Sequence, residues 1–213
     1  MKLYDYFRSS AAYRVRIALN LKGLAPERAP IHLRRGAQRS DAYLAMNPQG
    51  LVPVLITDEG DVLTQSLAII EWLDETHPQP PLLPKNAAGR ARVRALSLAI
   101  ACDIHPLNNT RVLSYLTGTL GVDDALKDGW YRYWCDVGLE ALETQLAREP
   151  ATGKFCQGDT PTIADICLIP QLANARRVEL DLAPYPTLLR IEAACNALPA
   201  FANAAPAKQP DAE

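Results

Sequence analysis

Residues 47–73 read NPQGLVPVLITDEGDVLTQSLAIIEWL, and this stretch decides the fold. It predicts a short strand after Pro53, a polar turn at Gly60, a second strand and then an apolar helix. A proline cannot donate a hydrogen bond to a sheet, so we expect Pro53 at the entrance or edge of its strand. If the Val52–Pro53 peptide bond is cis, the Val52 backbone is turned outward and is free to pair with an extended peptide.

The helix that follows begins near Gln65 and Ser66, with Ser66 in the position typical of an N-cap. The first amides of a helix attract a carboxylate because they have no acceptor inside the helix. A free backbone edge beside an anion pocket is the arrangement expected of a receptor for a small acidic peptide.

The composition is that of an ordinary globular protein, with 48% hydrophobic and 22% charged residues among 213. The formal net charge of -2 gives no basic excess, so we do not expect nucleic acid as a partner. No run approaches the roughly 18 apolar residues of a membrane span, and the first residues lack the apolar core of a signal peptide. These features predict a cytoplasmic protein that is not embedded in a membrane.

The cysteines and histidines give no sign of a metal site. Five cysteines without a C-x-x-C pair are expected to be free thiols in a reducing compartment: Cys102, Cys135, Cys156, Cys167 and Cys195. The histidines lie far apart, with no spacing typical of metal ligands: His32, His77 and His105.

The first 75 or so residues alternate short strand patterns with helical ones. Strands are predicted at 2–6, 29–33, 54–56 and 62–64, and helices at 11–22, 39–46 and 66–76. The resulting order, βαβαββα, is typical of an α/β thioredoxin-like domain with a parallel crossover first and an antiparallel hairpin last. A proline-rich stretch from His77 to Pro84 then predicts a linker.

From Gly89 onward only helical patterns remain, at 90–116, 124–146, 163–177 and 185–198. Pro106 should kink the first of these or start a new segment. Thr162 and Asp165 form a capping box with a structural role, and the tail from Ala204 should be irregular. The predicted boundaries are 1–80 for the N-terminal domain, 81–88 for the linker and 89–213 for an all-α C-terminal domain.

Arg8 to Arg16 lie between the first strand and the first helix, in a turn expected beside the Pro53 edge. A serine hydroxyl at a helix N-terminus can donate to a thiolate and lower its pKa, with help from the helix dipole. Ser9 or Ser10 could instead serve only as an N-cap, but the Pro53 and Gln65–Ser66 segments in register favour the chemical role.

Several motifs together resemble the cytosolic glutathione transferase family, and its zeta class in particular. They cover both predicted domains and read SSxxxRVRIAL from Ser9, NPxxxVP from Asn47, QSxAIIExL from Gln65, ADxCLxPQxxNAxR from Ala164, DLxPYPT from Asp181 and QPD from Gln209. The resemblance implies the cytosolic glutathione transferase fold, glutathione as cofactor and a homodimer. In that dimer the first domain would pair with the partner's second domain.

The resemblance also implies residue roles. Ser9 and Ser10 would activate the glutathione thiolate, and the choice between them stays open. The cofactor would be held by Gln38, Val52 (through its backbone), Pro53, Gln65, Ser66, His105 and Asn109. The class often has a cysteine directly after the two serines, but this chain has Ala11, so the nucleophile must be the sulfur of glutathione. A core-facing or kink-stabilising role is the alternative for His105.

Zeta-class members include maleylacetoacetate isomerases, which implies glutathione-dependent cis–trans isomerisation to fumarylacetoacetate by reversible thiolate addition, in tyrosine and phenylalanine catabolism. The substrate is a small dianion, and arginine suits a carboxylate because its planar fork binds both oxygens. The expected substrate-binding residues, placed by the resemblance at the cleft between domains, are Arg8, Arg111 and Arg177, with Arg176 at the surface.

Three alternatives remain at this point. The first is maleylpyruvate isomerisation in aromatic-acid degradation, for which a second arginine is expected where Thr110 stands. The second is a zeta-class transferase that acts on small α-halo acids with the same serines. The third is a binding module without turnover, which the intact Ser9, Gln65 and Ser66 disfavour.

Overall fold

The computed structural model describes residues 1–213, which divide into two compact units. The first unit consists of residues 1–82 together with 196–213, and the second of residues 83–195. The sequence predicts residues 196–213 as part of the helical domain, whereas the structure groups them with the first unit. The reason is a set of long-range hydrogen bonds, such as the one from Arg16 Nε to the Ala204 carbonyl at 3.0 Å.

The first unit contains a mixed four-stranded sheet. Its elements are β1 (Lys2–Asp5), α1 (Ser10–Leu21), β2 (Glu27–Pro30), α2 (Asp41–Met46), β3 (Val54–Ile56), β4 (Val62–Thr64) and α3 (Ser66–Thr76). The strand order is β2-β1-β3-β4, with β1 parallel to β2 and both other pairs antiparallel. This confirms the predicted thioredoxin-like fold. β2 begins earlier than the predicted Ala29 because its ladder with β1 starts at Glu27, opposite Lys2.

The two longer helices of this unit pack on each other and bury apolar side chains. α1 buries Val15, Ile17 and Ala18 completely, and α3 does the same with Ile69 and Ile70. α1 also buries Arg14 and Arg16, which are only 1% and 3% exposed. Two buried arginines on one helix require polar partners inside the unit, because an unpaired buried charge is strongly destabilising.

The second unit is helical, as predicted. It contains α4 (Ala87–Leu98), α5 (Thr110–Gly118), α6 (Asp124–Arg148), α7 (Ile163–Arg177) and most of α8 (Pro186–Asn196). The predicted interruption at Pro106 is confirmed, since a π-helical turn at Ala99–Ile104 and a 3-10 turn at His105–Asn108 separate α4 from α5. The final segment of the chain adds α9 (Pro199–Ala202) and a 3-10 turn at Pro206–Lys208 to the first unit.

The predicted capping box at the start of α7 is present. The Thr162 amide and hydroxyl both donate to Asp165 Oδ2, at 2.7 and 2.9 Å, and the Cys156 amide donates to Oδ1 at 2.8 Å. Asp165 is fully buried, and burial raises the pKa of its carboxyl group. All these partners are structural, which agrees with the role expected from the sequence.

The five cysteines are all free thiols, as predicted, with Cys102 exposed and the others buried. None of the helices combines the length and the hydrophobicity that a membrane span requires. No three side chains of the metal-ligating types lie close enough together to hold a metal ion.

Two glycines of α6 provide a matched test of packing next to the interrupted helix. A Cβ on Gly138 would lie 2.3 Å from Ile104, which is buried and precedes His105, whereas a Cβ on Gly129 would meet nothing within 4 Å. We expect Gly129→Ala to raise the free energy of unfolding by about 0.5–1 kcal/mol through helix propensity. Gly138→Ala should instead lower it by about 1–3 kcal/mol through overpacking. Urea unfolding measures both changes, and equal stability of the two variants would contradict this packing.

Candidate active site

The turn between β1 and α1 places Ser9 at the N-cap of α1. The Ala12 amide donates to Ser9 Oγ at 3.2 Å, and the Tyr13 amide donates to the Ser9 carbonyl at 2.8 Å. Ser9 is half-buried, whereas Ser10 is the first residue of the helix and only 7% exposed. A capping serine accepts through its oxygen and keeps its hydroxyl hydrogen for another partner. Ser9 can therefore be a structural cap and a hydrogen-bond donor at the same time.

The segment before β3 has an anchored carbonyl followed by a free backbone edge. The Leu51 carbonyl accepts from the Tyr43 hydroxyl at 2.7 Å and from Asn47 Nδ2 at 2.8 Å. The Val52–Pro53 peptide bond is cis, and β3 begins only at Val54. The Val52 amide and carbonyl thus lie beyond the sheet ladder, where the sequence expects a peptide ligand to pair.

α3 has the predicted bounds, but its N-cap differs from the sequence expectation by one residue. Gln65, not Ser66, occupies the N-cap position, with φ of 68° and no capping bond from its side chain. The Ser66 hydroxyl instead accepts from a guanidinium nitrogen of Arg14 at 3.3 Å. Because no side chain caps this helix, the amides of its first turn lack an acceptor, which favours an anion at this position.

Direct contacts join these three segments. Tyr6 and Phe7, which precede Arg8 and Ser9, belong to an apolar cluster with Tyr43, Val52 and Val54. The Arg14–Ser66 bond ties α1 to the start of α3. A bond from Gln65 Nε2 to Gln49 Oε1 at 2.9 Å ties the start of α3 to the loop before Val52. The Ser9 turn, the Val52 segment and the start of α3 therefore form one connected region of the first unit.

Gln38 and Arg8 have side chains that the chain itself leaves without partners. Gln38 lies in a 3-10 turn at Ala37–Arg39, and its Oε1 is buried without a hydrogen bond. A buried unpaired amide oxygen costs about 1–3 kcal/mol, so an N–H donor from a ligand would suit it. Arg8 is half-buried and forms no hydrogen bond or ion pair.

The remaining predicted residues lie in the second unit. His105 opens the 3-10 turn before Pro106 and is half-buried. Asn109 is the N-cap of α5, and its Oδ1 accepts from the Arg111 amide at 3.1 Å. Arg111 is exposed in the first turn of α5 and has no acidic partner. Asn109 thus has a capping role in addition to the role that the resemblance implies.

The neighbouring Arg176 and Arg177 differ in their partners. Arg176 forms a two-pronged ion pair with Glu192, with NH2 to Oε2 at 2.6 Å. Arg177 donates to the Tyr131 hydroxyl at 3.1 Å and lies over the Tyr131 ring, 5.6 Å from its centroid, with no carboxylate beside it. The charge of Arg176 is therefore paired within the chain, whereas Arg177 has no acidic partner.

Sequence reasoning did not assign a site role to Arg14 or Tyr131. An arginine between apolar neighbours on a buried helix face was the available signal for Arg14, but its partner Ser66 is 52 positions away. Two of the buried thiols are held in their neutral form. Burial raises the pKa of the Cys135 thiol to about 12 and that of Cys156 well above its usual range.

Comparison with known proteins decides the family. The family model described as glutathione S-transferase, N-terminal domain, matches residues 3–81, and the one described as glutathione S-transferase, C-terminal domain, matches residues 138–202. The chain belongs to the glutathione S-transferase family. The resemblance seen in its motifs is thereby confirmed.

Individual relatives place this glutathione S-transferase among named isomerases. A "probable maleylacetoacetate isomerase" of Vibrio cholerae is 53% identical over 99% of this chain and 97% of its own length. The holo structure of a maleylpyruvate isomerase, described as a bacterial zeta-class glutathione S-transferase, is 50% identical over all of both chains, with a TM-score of 0.97. A maleylacetoacetate isomerase of Methylobacterium extorquens AM1, with bound malonate and GSH, is 45% identical over all of both chains, with a TM-score of 0.98.

The backbone of Gln65 gives a prediction about stability. Glycine adopts a positive φ without penalty, so Gln65→Gly should be more stable than Gln65→Ala by about 1 kcal/mol in urea unfolding. Gln49 is the matched control, because its variants lose the same side-chain bond from a residue with ordinary φ. There the order should reverse, with Gln49→Gly less stable than Gln49→Ala by about 0.5–1 kcal/mol. The same order at both positions would argue against backbone strain at Gln65.

Proposed function

We propose that this chain is a glutathione-dependent cis–trans isomerase that converts maleylacetoacetate to fumarylacetoacetate in tyrosine and phenylalanine catabolism. The observation that carries the proposal is the connected region of the first unit. There the Ser9 hydroxyl, the Val52 backbone edge and the uncapped start of α3 lie on segments in direct contact. Relatives of the same length that carry this activity in their names support it.

The residues of the first unit fit glutathione. The uncapped amides of α3, with Ser66, suit a carboxylate of the tripeptide. The Val52 backbone, held next to Pro53, suits pairing with its extended chain. The unpaired Gln38 Oε1 suits one of its N–H groups, and Gln65 borders the same region through Gln49. His105 and Asn109 are proposed as further cofactor contacts from the second unit.

When bound, glutathione supplies a thiolate that adds reversibly to the substrate double bond and so allows rotation about it. Ser9 donates its hydroxyl hydrogen to the sulfur, and the positive end of α1 adds to the stabilisation of the negative charge. Ser9 suits this role better than the buried Ser10, because its capping bond uses only the oxygen. Arg8, Arg111 and Arg177 bind the carboxylates of the dianionic substrate, since none has an acidic partner in the chain.

Maleylpyruvate is the second candidate substrate. The similarity to a maleylpyruvate isomerase structure, at 50% identity, favours it about as much as the other relatives favour maleylacetoacetate. Thr110, which follows Asn109 at the start of α5, leaves one cation fewer than the site expected for the shorter diacid. Action on small α-halo acids, with the same serine and the glutathione thiolate, is the alternative transferase activity.

A cytoplasmic homodimer is part of the proposal. Several large apolar side chains of the second unit are exposed in the single chain and would suit burial against a partner: Tyr115, Leu120, Leu126, Tyr133 and Val137. The free cysteines suit a reducing compartment. Analytical ultracentrifugation tests the dimer directly, and a monomer at micromolar concentration would rule it out.

The deciding experiment follows the loss of maleylacetoacetate absorbance with and without glutathione, and with maleylpyruvate in parallel. We expect turnover only with glutathione and a higher kcat/KM for maleylacetoacetate. A preference for maleylpyruvate would assign the protein to aromatic-acid degradation. Turnover of neither diacid would refute the isomerase proposal and leave conjugation or dehalogenation to be tested.

The Ser9 hydroxyl can be tested against its own structural role. Ser9→Ala should lower kcat/KM by about 10²-fold, because it removes the donor to the sulfur. It also removes an N-cap, which costs about 1 kcal/mol of stability. Asn86→Ala is the control, since Asn86 caps α4 through the Gly89 amide at 2.7 Å. Asn86→Ala should lose similar stability without the loss of kcat/KM. Ser10→Ala should lower kcat/KM less than Ser9→Ala does.

A further inference from the structure

The closing segment of the chain, residues 204–213, is bonded at several points to the region around β1 and α1. Four of its groups accept or share hydrogen bonds with residues of the first unit. They are the Ala204 carbonyl with Arg16 Nε at 3.0 Å, Gln209 Oε1 with Arg28 NH1 at 3.1 Å, Asp211 Oδ2 with the Phe7 amide at 2.9 Å, and Glu213 Oε1 with His32 Nε2 at 2.6 Å. Of these partners, Phe7 lies in the turn that carries Ser9.

The turn before α1 is held from two directions at Phe7. The Phe7 carbonyl accepts from Arg16 NH2 at 3.0 Å, while the Phe7 amide donates to Asp211. The Tyr6 carbonyl accepts from Arg16 NH1 at 3.3 Å and from the Ser9 amide at 3.0 Å. The two backbone polar groups of Phe7, two residues before Ser9, are therefore both fixed by charged side chains.

These bonds matter because the turn lies between a strand and a helix and is part of neither. β1 ends at Asp5 and α1 begins at Ser10, so residues 6–9 have no regular secondary structure to set their direction. A bond to a charged acceptor is shorter and stronger than one between neutral groups. The position of a donor at a developing charge must be accurate to a fraction of an ångström for full effect.

We propose that Asp211 is a positioning residue of the active site, whose carboxylate holds the Phe7 amide and thereby aims the Ser9 hydroxyl. This inference rests on the proposed role of Ser9 toward glutathione. It assigns a role to the final segment that extends beyond folding, because Asp211 would act on the site through the Phe7 amide. Gln209 serves it by fixing the tail, because its Nε2 donates to the Asn203 and Ala205 carbonyls at 2.9 Å each.

Variants of Asp211 separate positioning from mere stabilisation. Asp211→Ala removes the acceptor, and Asp211→Asn keeps an oxygen that can accept from Phe7. Glu213→Gln is the matched control, because it weakens the exposed pair with His32 at the end of the same segment without touching Phe7. Ultraviolet titration of bound glutathione reports the thiol pKa, calorimetry reports its affinity, and urea unfolding reports stability.

We expect Asp211→Ala to raise the pKa of the bound thiol by roughly one unit and to lower kcat/KM about tenfold at neutral pH. Glutathione affinity should change little, because Val52, Gln65 and Ser66 are intact. Asp211→Asn should recover most of the loss, and Glu213→Gln should match the unmodified protein. An unchanged thiol pKa in folded Asp211→Ala protein, even with lower stability, would overturn the proposal.

The outcomes distinguish this inference from the function on which it rests. If the unmodified protein binds glutathione but isomerises neither diacid, the isomerase proposal fails and the thiol pKa still decides the role of Asp211. If the unmodified protein does not lower the pKa of bound glutathione, or does not bind it, there is no effect for Asp211 to support, and both proposals fail.

Discussion

The first unit depends on the hydrogen bonds of one buried group, the guanidinium of Arg16. It forms an ion pair with Asp5 at the end of β1. It also donates hydrogen bonds to the carbonyls of Tyr6, Phe7 and Ala204. Burial lowers the pKa of Arg16 while Asp5 opposes this effect, and a guanidinium remains charged in proteins. Lysine could not replace it, because only a planar group with five donors reaches strand, turn and tail together.

Local signals in the sequence were sufficient for the order of elements. The hairpin around Gly60, the capping box at Thr162 and the break at Pro106 each depend on residues within a few positions of one another. No such local signal predicts where residues 196–213 pack. Their grouping with the first unit depends on partners such as Phe7 and Asp211, 204 positions apart, which no periodicity can reveal.

The predictions about the candidate site divide in the same way, into those with a local sequence signal and those that depend on distant contacts. Residue types and spacing predicted roles for Ser9 and Val52, and the resemblance implied one for Gln65; the structure adds the local geometry of each. The helix boundaries of α3 were predicted correctly, but its N-cap was assigned to Ser66 instead of Gln65, because a positive φ at a glutamine is uncommon and has no sequence signal. The resemblance alone distinguished Arg177 from Arg176, and no sequence pattern shows that Arg176 pairs with Glu192 on another helix.

The grouping of residues 196–213 with the first unit also sets an order of events during synthesis. All residues of the helical unit, 83–195, have been synthesised once α8 has been translated up to Cys195. Residues 1–82 of the thioredoxin-like unit emerge before the helical unit, yet Arg16 and Phe7 gain their partners Ala204 and Asp211 only after residues 83–195 have been added. The thioredoxin-like unit, which starts to emerge before the helical unit, therefore completes its native contacts after it.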